Sequence, residues 1–185
     1  RFPVQFVIRP QRADFPDYRG YAGRVAGGVL RVGDEVMVLP SGLTSTITGI
    51  DSPTGPLQEA TPGQAVTVLL ADDLSITRGD MICRPNNRPR ASQELEAMLC
   101  WMDDAAPLQP GKIYTIKHTT KVARTKITEV LYRLNISTLS RETGVNQLAM
   151  NEIGRVTLHT TAPLMFDDYH QNRTTGCFII VDEAT

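Results

Sequence analysis

Cysteine is scarce in this sequence, and long apolar runs are missing. Three cysteines occur among the 185 residues, Cys83, Cys100 and Cys177, and no CxxC spacing is present. An odd count without metal-ligand spacing argues against a disulfide framework and against a structural zinc site. The pattern is typical of small buried thiols in a cytoplasmic protein.

The sequence also lacks an excess of charge of either sign. The sequence has 19 basic and 20 acidic residues, so its formal net charge is −1. That balance argues against a dominant nucleic-acid or membrane surface. No apolar stretch approaches the roughly 20 residues needed to span a bilayer, and no signal peptide opens the chain. The chain begins Arg-Phe-Pro without Met, so we expect a fragment of a longer protein.

Motifs for catalysis are missing as well. A phosphate-binding loop needs Gly-x4-Gly-Lys-Ser/Thr, because backbone amides must curl around the phosphate, and none occurs. Asp17-Tyr18-Arg19-Gly20 matches the Asp-x-x-Gly of GTPase switches, but we interpret this isolated match as coincidence. Gly-x-Ser-x-Gly is absent, and the three histidines lack metal-ligand spacing. We therefore name no catalytic, cofactor-binding or metal-binding residue.

Short strands separated by Gly, Pro and Asp turns dominate the first half of the chain. Alternating or β-branched runs predict strands there. These predicted strands cover residues 3–9, 21–30, 35–39, 44–50, 65–70 and 81–83. Within 21–30, Ala22-Gly23 and Gly27-Gly28 indicate a bulge or a close backbone approach. The turn Val32-Gly33-Asp34 predicts a hairpin between 21–30 and 35–39. About seven short strands at this spacing predict a small barrel or sandwich.

The stretch 84–90, Arg-Pro-Asn-Asn-Arg-Pro-Arg, suits a connector and not a core, so we predict two domains, 1–90 and 91–185. Residues 93–102 contain many helix formers, yet apolar residues fall at every second position, which favours a strand with Trp101 on its buried face. No segment shows helical periodicity over three turns. Further predicted strands cover residues 113–119, 126–136, 152–160 and 177–182. These strands predict a second small antiparallel barrel.

Two kinds of surface remain as candidates for binding. The cluster Asp167-Asp168-Tyr169-His170 indicates either a loop that contacts another domain or subunit, or a solvated turn. Basic residues indicate either a solvated face or a surface for an acidic partner or RNA. They are Arg84, Arg88, Arg90, Lys117, Lys121, Arg124 and Lys126. Our candidates for a partner interface all lie beside glycines or in loops. They are Arg19, Tyr21, Arg24, Asp168, Tyr169 and Arg173.

The stretch from Gly23-Arg24-Val25 to Gly33-Asp34-Glu35 resembles the second-domain signature of translational GTPases such as elongation factor Tu. Longer stretches are similar to the large, GTP-hydrolysing subunit of bacterial sulfate adenylyltransferase. They are Phe2-Pro3-Val4-Gln5-Phe6-Val7-Ile8-Arg9-Pro10, Asp17-Tyr18-Arg19-Gly20-Tyr21-Ala22-Gly23, Val38-Leu39-Pro40-Ser41-Gly42, Leu148-Ala149-Met150-Asn151-Glu152-Ile153-Gly154, Phe166-Asp167-Asp168-Tyr169 and Asn172-Arg173-Thr174-Thr175-Gly176-Cys177-Phe178-Ile179-Ile180-Val181-Asp182.

The resemblance implies an all-β fold of two consecutive small antiparallel β-barrels, like domains two and three of elongation factor Tu. Members of the family usually continue with one more strand, so we expect the second barrel to lack its last strand here. It implies non-catalytic coupling and scaffold domains, with GTP and Mg²⁺ bound in an upstream domain outside this chain. The implied partners are that GTPase domain, a small adenylyltransferase subunit and, in some relatives, a fused C-terminal adenylylsulfate kinase domain. The alternative is a pair of tRNA-binding domains from a translation factor.

Overall fold

The computed structural model describes residues 1–10 and 18–183, so Asp17 of the Asp-x-x-Gly match lies outside the described residues. Within them the chain forms strands and turns and no helix, which confirms the all-β prediction. No apolar helix of membrane-spanning length is therefore found there.

Two compact units interleave along the sequence. The first contains residues 1–91, 118–121 and 165–178, and the second contains 92–117, 122–164 and the chain from residue 179. Two short segments from the second half of the chain thus belong to the first unit. The predicted domain limits, 1–90 and 91–185, stay a prediction.

Within the described residues, nine strands build the first unit. They are β1 (Phe2–Ile8), β2 (Gly20–Arg24), β3 (Leu30–Arg31), β4 (Glu35–Leu39), β5 (Thr44–Ser52), β6 (Gly55–Leu57), β7 (Glu59–Ala60), β8 (Ala65–Leu70) and β9 (Met81–Cys83). Six of them form a ring of antiparallel pairs in the order β1, β2, β8, β5, β4, β9 and back to β1. A closed ring leaves no free edge among these six strands.

Side-chain alternation explains where the first core lies. In β5, Ser45 and Ile47 are buried whereas Thr44, Thr46 and Thr48 are exposed, as period two requires. The buried core of this unit is mainly β-branched and aromatic. It comprises Phe2, Val4, Tyr21, Val25, Leu30, Val36, Val38, Ile47, Ile50, Ala60, Val66, Val68, Ile76 and Ile82.

The predicted strand at residues 21–30 and its hairpin with 35–39 are wrong. β2 ends at Arg24 and pairs with β1 and β8, whereas β3 pairs with β7 and β4 pairs with β5 and β9. The break has a backbone cause, since Gly28 has a φ of +73°, outside the strand region. The irregularity in this ladder lies on β1, between Val4 and Phe6.

The predicted close backbone approach at Gly23 is confirmed. A Cβ atom added there would lie 2.4 Å from the carbonyl oxygen of Pro3 and 3.0 Å from the ring of Phe2. Gly23 pairs with Val4 beside the irregularity in β1. Glycine is therefore needed for these two strands to meet at this point.

Up to residue 183, where the described chain ends, six strands build the second unit. They are β10 (Arg90–Cys100), β11 (Ile113–His118), β12 (Lys121–Leu134), β13 (Arg141–Glu142), β14 (Ile153–Phe166) and β15 (Ile179–Val181). They lie in the order β10, β14, β12, β11, β15, with β13 paired to β12. The predicted strand at residues 93–102 is confirmed and begins earlier than expected.

Trp101 is buried, as predicted, and its ring packs against Tyr114 in the second unit. It is 5% exposed, its indole Nε1 donates to the carbonyl oxygen of Ala106 at 2.7 Å, and its ring meets Tyr114 edge-on at 5.6 Å. The expectation of buried thiols holds for Cys83 and is wrong for Cys100 and Cys177, which are exposed. All three cysteines are free.

Gly23→Ala should destabilise the first unit, because the added methyl group collides with the backbone of Pro3. Overpacking of this kind costs about 1–3 kcal/mol, measurable as a lower free energy of unfolding in urea. Gln58→Ala, at an exposed position outside the ring of strands, should change stability by less than about 0.5 kcal/mol. Equal stability of the two variants would contradict the close approach.

Candidate partner-binding surface

A buried ion pair fixes the loop that follows β14. Arg1 donates from Nε to Oδ2 of Asp167 at 2.8 Å and from Nη2 to Oδ1 at 2.7 Å. The two side chains are 13% and 11% exposed. The hydroxyl of Thr175 donates to the same Oδ2 at 2.7 Å. One carboxylate therefore joins the start of the loop to its end; we call residues 167–177 the interface loop.

The charge of Asp167 is favoured by its partners. Burial opposes ionisation, but the hydrogen bonds from Arg1 and Thr175 outweigh it, and the pKa of Asp167 is lowered from its ordinary value. A bidentate guanidinium–carboxylate pair also fixes the relative orientation of the two groups. The carboxylate thus keeps its structural role across the neutral pH range.

Turn chemistry fixes the inside of the interface loop. Asn172 Oδ1 accepts from the backbone amides of Thr174 and Thr175 at 3.0 and 3.3 Å, and its Nδ2 donates to the carbonyl oxygen of Ala26 at 3.0 Å. A Cβ atom on Gly176 would lie 2.5 Å from the Cα atom of Tyr169, so only glycine fits there. The loop therefore has one well-defined backbone path.

His118 supports the loop through a buried hydrogen bond. It is 3% exposed, and its Nε2–H donates to the carbonyl oxygen of Thr175 at 2.7 Å. Burial lowers the pKa of His118, although the hydrogen bond to Thr175 acts in the opposite direction. Within residues 1–10 and 18–183, no group of three or more His, Cys, Asp or Glu side chains could hold a metal ion.

The outer face of the interface loop carries three of the predicted interface residues. Asp168 is exposed, Tyr169 is 50% exposed, and the guanidinium carbon of Arg173 lies 5.8 Å from the centre of the Tyr169 ring. The ring of His170 lies edge-on to Tyr169 at 6.1 Å. Tyr and Arg are enriched at protein interfaces, so this composition suits contact with another protein.

The other three predicted interface residues lie on or beside β2, away from the interface loop in sequence. Tyr21 is 1% exposed and its hydroxyl donates to the carbonyl oxygen of Leu74 at 3.1 Å, so direct contact between Tyr21 and a partner is wrong. Arg19 lies over the Tyr21 ring at 5.6 Å and forms an ion pair with Asp73. Arg24 is exposed and donates to the carbonyl oxygen of Gly63.

Acidic neighbours occupy much of the predicted basic surface. Arg84 pairs with Asp34 at 2.9 Å and Arg90 with Asp168 at 3.5 Å, while Arg88 donates to the carbonyl oxygen of Pro85. In the second basic group, Arg124 lies 3.7 Å from a carboxylate oxygen of Glu183, and Lys121 packs against Gly79. Lys117 and Lys126 are exposed. These pairings favour the solvated-face interpretation.

Most of the residues that build the loop were not singled out from the sequence. Arg1, Asn172 and Thr175 fix its backbone and were not named as candidates, whereas Asp167 was named only as a member of the acidic and aromatic cluster 167–170. One signal was available: Asn172-Arg173-Thr174-Thr175-Gly176 has the side-chain-to-backbone turn chemistry that Asn and Gly supply. The partner of Asp167 could not be found this way, because Arg1 lies at the other end of the chain.

Comparisons with known proteins agree with this fold. Residues 21–83 match the family model described as Elongation factor Tu domain 2, and residues 94–185 match that described as GTP-eEF1A C-terminal domain-like. The Bifunctional enzyme CysN/CysC of Mycobacterium tuberculosis (strain H37Rv) is 53% identical over 185 residues, all of this chain and 30% of that protein. Sulfate adenylyltransferase subunit 1 is 42% identical in Bacteroides fragilis and 43% in Aeromonas hydrophila, over all of this chain and 38% of each protein.

Over its whole length the chain is similar to sulfate adenylyltransferase subunit 1. It spans about a third of the length of the curated relatives it matches, from 30% to 38%. The resemblance stated from the sequence is confirmed, and so is the expected pair of elongation-factor-like barrels. The chain aligns with these relatives across both compact units.

Solved structures of a more distant protein share the fold. Sup35 complexed with GMPPNP superposes with a TM-score of 0.86 at 17% identity, covering 98% of this chain and 44% of that one. Sup35 complexed with GDP gives a TM-score of 0.88 at 16% identity, covering 100% and 44%. At this identity the likeness shows the fold of this chain and no more.

His118→Gln should weaken the pH dependence of the free energy of unfolding of the first unit between about pH 7 and pH 5. The unfolded histidine binds a proton below about 6.5, whereas the buried one binds it only at lower pH. Its contribution is therefore full above 6.5 and is lost as pH falls through the lowered pKa. Urea unfolding across this range should show a steeper loss in the parent chain than in the variant. Equal slopes would contradict a buried neutral His118.

Proposed function

We propose that this chain forms the second and third domains of the GTP-hydrolysing subunit of a sulfate adenylyltransferase. Its role is to carry the nucleotide state of an upstream GTPase domain to a separate adenylyltransferase subunit. The observation that carries this proposal is the match to subunit 1 proteins across all 185 residues, at 42–43% identity, through both units. A match confined to one barrel would support only a shared module.

The chemistry of the proposed parent explains why a coupling module is needed. The adenylyltransferase joins ATP and sulfate to give adenosine 5′-phosphosulfate and pyrophosphate. Sulfate is a poor nucleophile and the mixed anhydride is high in energy, so the forward step needs a driving reaction. GTP hydrolysis supplies that drive, with GTP and Mg²⁺ bound in the upstream domain. A fused C-terminal adenylylsulfate kinase domain, which the resemblance implies for some relatives, is a further candidate neighbour.

The physical properties of the first unit suit the coupling role. A closed ring of six strands around a core of large β-branched and aromatic residues resists gradual deformation. Domains of this kind respond to a nucleotide switch by moving as rigid bodies. The interface loop adds a fixed contact surface, because Asp167, Asn172 and Gly176 determine its backbone before any partner arrives.

The alternative, tRNA-binding domains of a translation factor, has less support. Binding to a nucleic-acid backbone depends on unpaired basic side chains that neutralise phosphates. Here the formal net charge is −1, and Arg84, Arg90 and Arg124 lie beside carboxylates. The relatives at 42–43% identity are named for sulfate adenylyltransferase and not for translation.

Reconstitution tests the proposed function directly. The full-length subunit that contains this chain is purified, mixed with its adenylyltransferase subunit, and assayed for adenosine 5′-phosphosulfate formation with and without GTP. We expect a stable complex whose product yield rises when GTP is hydrolysed. Filter binding of aminoacyl-tRNA by the same full-length subunit runs in parallel. A tight tRNA complex together with no GTP effect on product yield would overturn the proposal in favour of the alternative.

The double variant Tyr169→Ala, Arg173→Ala should weaken binding of the adenylyltransferase subunit. Loss of an aromatic and arginine hot spot costs about 2 kcal/mol or more, roughly a 30-fold rise in Kd by calorimetry. The matched control is Arg31→Ala, Glu59→Ala, which removes an exposed ion pair outside the loop, with side chains 54% and 53% exposed. If both double variants bind like the parent and couple GTP normally, the interface loop is not the contact.

A further inference from the structure

The tip of the hairpin between β12 and β13 exposes two large apolar side chains. Ile136 is 68% exposed and Leu139 is 74% exposed. The tip, residues 135–140, has the sequence Asn-Ile-Ser-Thr-Leu-Ser and contains no charged side chain. Single exposed apolar residues are common on proteins, but two at one uncharged tip form a patch that can enter a pocket. We call Ile136 and Leu139 the apolar knob.

Hydrogen bonds hold the tip in one conformation. The side-chain oxygen of Asn135 accepts from the amides of Ser137 and Thr138 at 3.0 and 3.2 Å. The amide of Leu139 donates to the carbonyl oxygen of Asn135 at 2.7 Å, and the amide of Asn135 donates to that of Ser140 at 2.9 Å. The knob is thus ordered in the free chain, so binding loses little conformational entropy.

An ion-pair cluster anchors the base of the tip. Nδ2 of Asn135 donates to Glu142 Oε1 at 2.9 Å, and Arg133 donates to Glu142 Oε2 from Nε and Nη2 at 2.9 and 2.7 Å. Nη1 of Arg133 donates to Glu152 at 2.5 Å. The hydrogen bonds from Asn135 and then Arg133 lower the pKa of Glu142. The tip is therefore joined firmly to the sheet of the second unit.

Leu139 occupies an unfavourable backbone conformation. Its φ is +57°, in the left-handed region that glycine and asparagine adopt readily and branched or bulky residues avoid. A turn alone would be served better by either of those residues. An exposed leucine at such a position is an observed outlier, and outliers of this kind concentrate at binding surfaces.

The residues beside the tip indicate the chemistry of a partner surface that could receive the apolar knob. Arg141 is exposed, with its guanidinium carbon 5.1 Å from the centre of the Tyr132 ring. Across the part of the chain that the structure describes, Arg141 forms no salt bridge. Arginine and tyrosine beside apolar anchors have the composition of a protein interface. A carboxylate on the partner would give Arg141 the ion pair that it lacks here.

We propose that the apolar knob inserts into an apolar pocket with an acidic rim on the adenylyltransferase subunit. This inference rests on the proposed function, since the relatives named subunit 1 imply a further subunit. A two-fold contact centred on the knob would bring two convex tips together and would offer neither tip a pocket. The knob is then a second contact for that subunit, on a different unit from the interface loop.

Substitution of the knob gives a sharp test in the full-length subunit. Leu139→Asn removes the apolar side chain and keeps a residue that tolerates the left-handed conformation, so folding is preserved. Combined with Ile136→Thr, it should raise the Kd for the adenylyltransferase subunit at least about tenfold, with the free energy of unfolding unchanged or slightly higher. Arg141→Glu should slow association and reduce its dependence on ionic strength.

The control and the outcomes separate this inference from the proposed function. Val122→Thr, at the other end of β12 and 57% exposed, should leave the Kd unchanged. If the knob variants bind the adenylyltransferase subunit as well as the parent does, the proposed knob contact is wrong and the proposed function stands. If Val122→Thr weakens binding as much as the knob variants, a specific knob contact is also wrong. If the parent itself does not bind the adenylyltransferase subunit, both proposals fail.

Discussion

The buried ion pair between Arg1 and Asp167 is the interaction on which the candidate surface depends. It joins the first residue of the chain to the end of β14, and Thr175 extends it to the far side of the loop. With side chains 13% and 11% exposed, loss of either partner leaves an uncompensated charge. Breaking a buried pair in this way costs about 3–5 kcal/mol. We therefore expect the loop to keep its single conformation only while this ion pair is intact.

Two adjacent aspartates show how this constraint assigns roles. Asp167 turns inward to Arg1, whereas Asp168 remains exposed beside Arg90 at 3.5 Å. The inward residue fixes the backbone, and the outward one stands with Tyr169 and Arg173 on the face that can meet a partner. The same division of roles occurs at the hairpin tip of the second unit. Asn135 and Arg133 hold the backbone of the tip, and Leu139 exposes its side chain to solvent. In both units a polar cluster holds exposed side chains in place.

Local patterns predicted much of the fold. Period two located β5 and β10, and it placed Trp101 inside although the composition around it suits a helix. The long-range pairings could not be found in this way, since β2 pairs with β8 some 40 residues later and not with the next strand. The burial of Tyr21 was not predicted from the sequence for the same reason. Neighbouring glycines suggested a surface, but the chain that covers Tyr21 comes from Leu74.

Amide hydrogen exchange of the interface loop tests the central claim most directly. In the full-length subunit without any partner, the amides of Asn172, Thr175 and Gly176 should exchange slowly, and Asp167→Asn should accelerate them by about two orders of magnitude or more, while β5 and β8 stay protected. That result would show that one carboxylate organises the loop before binding. Fast exchange of these amides in the parent, or equal protection in the variant, would contradict the account.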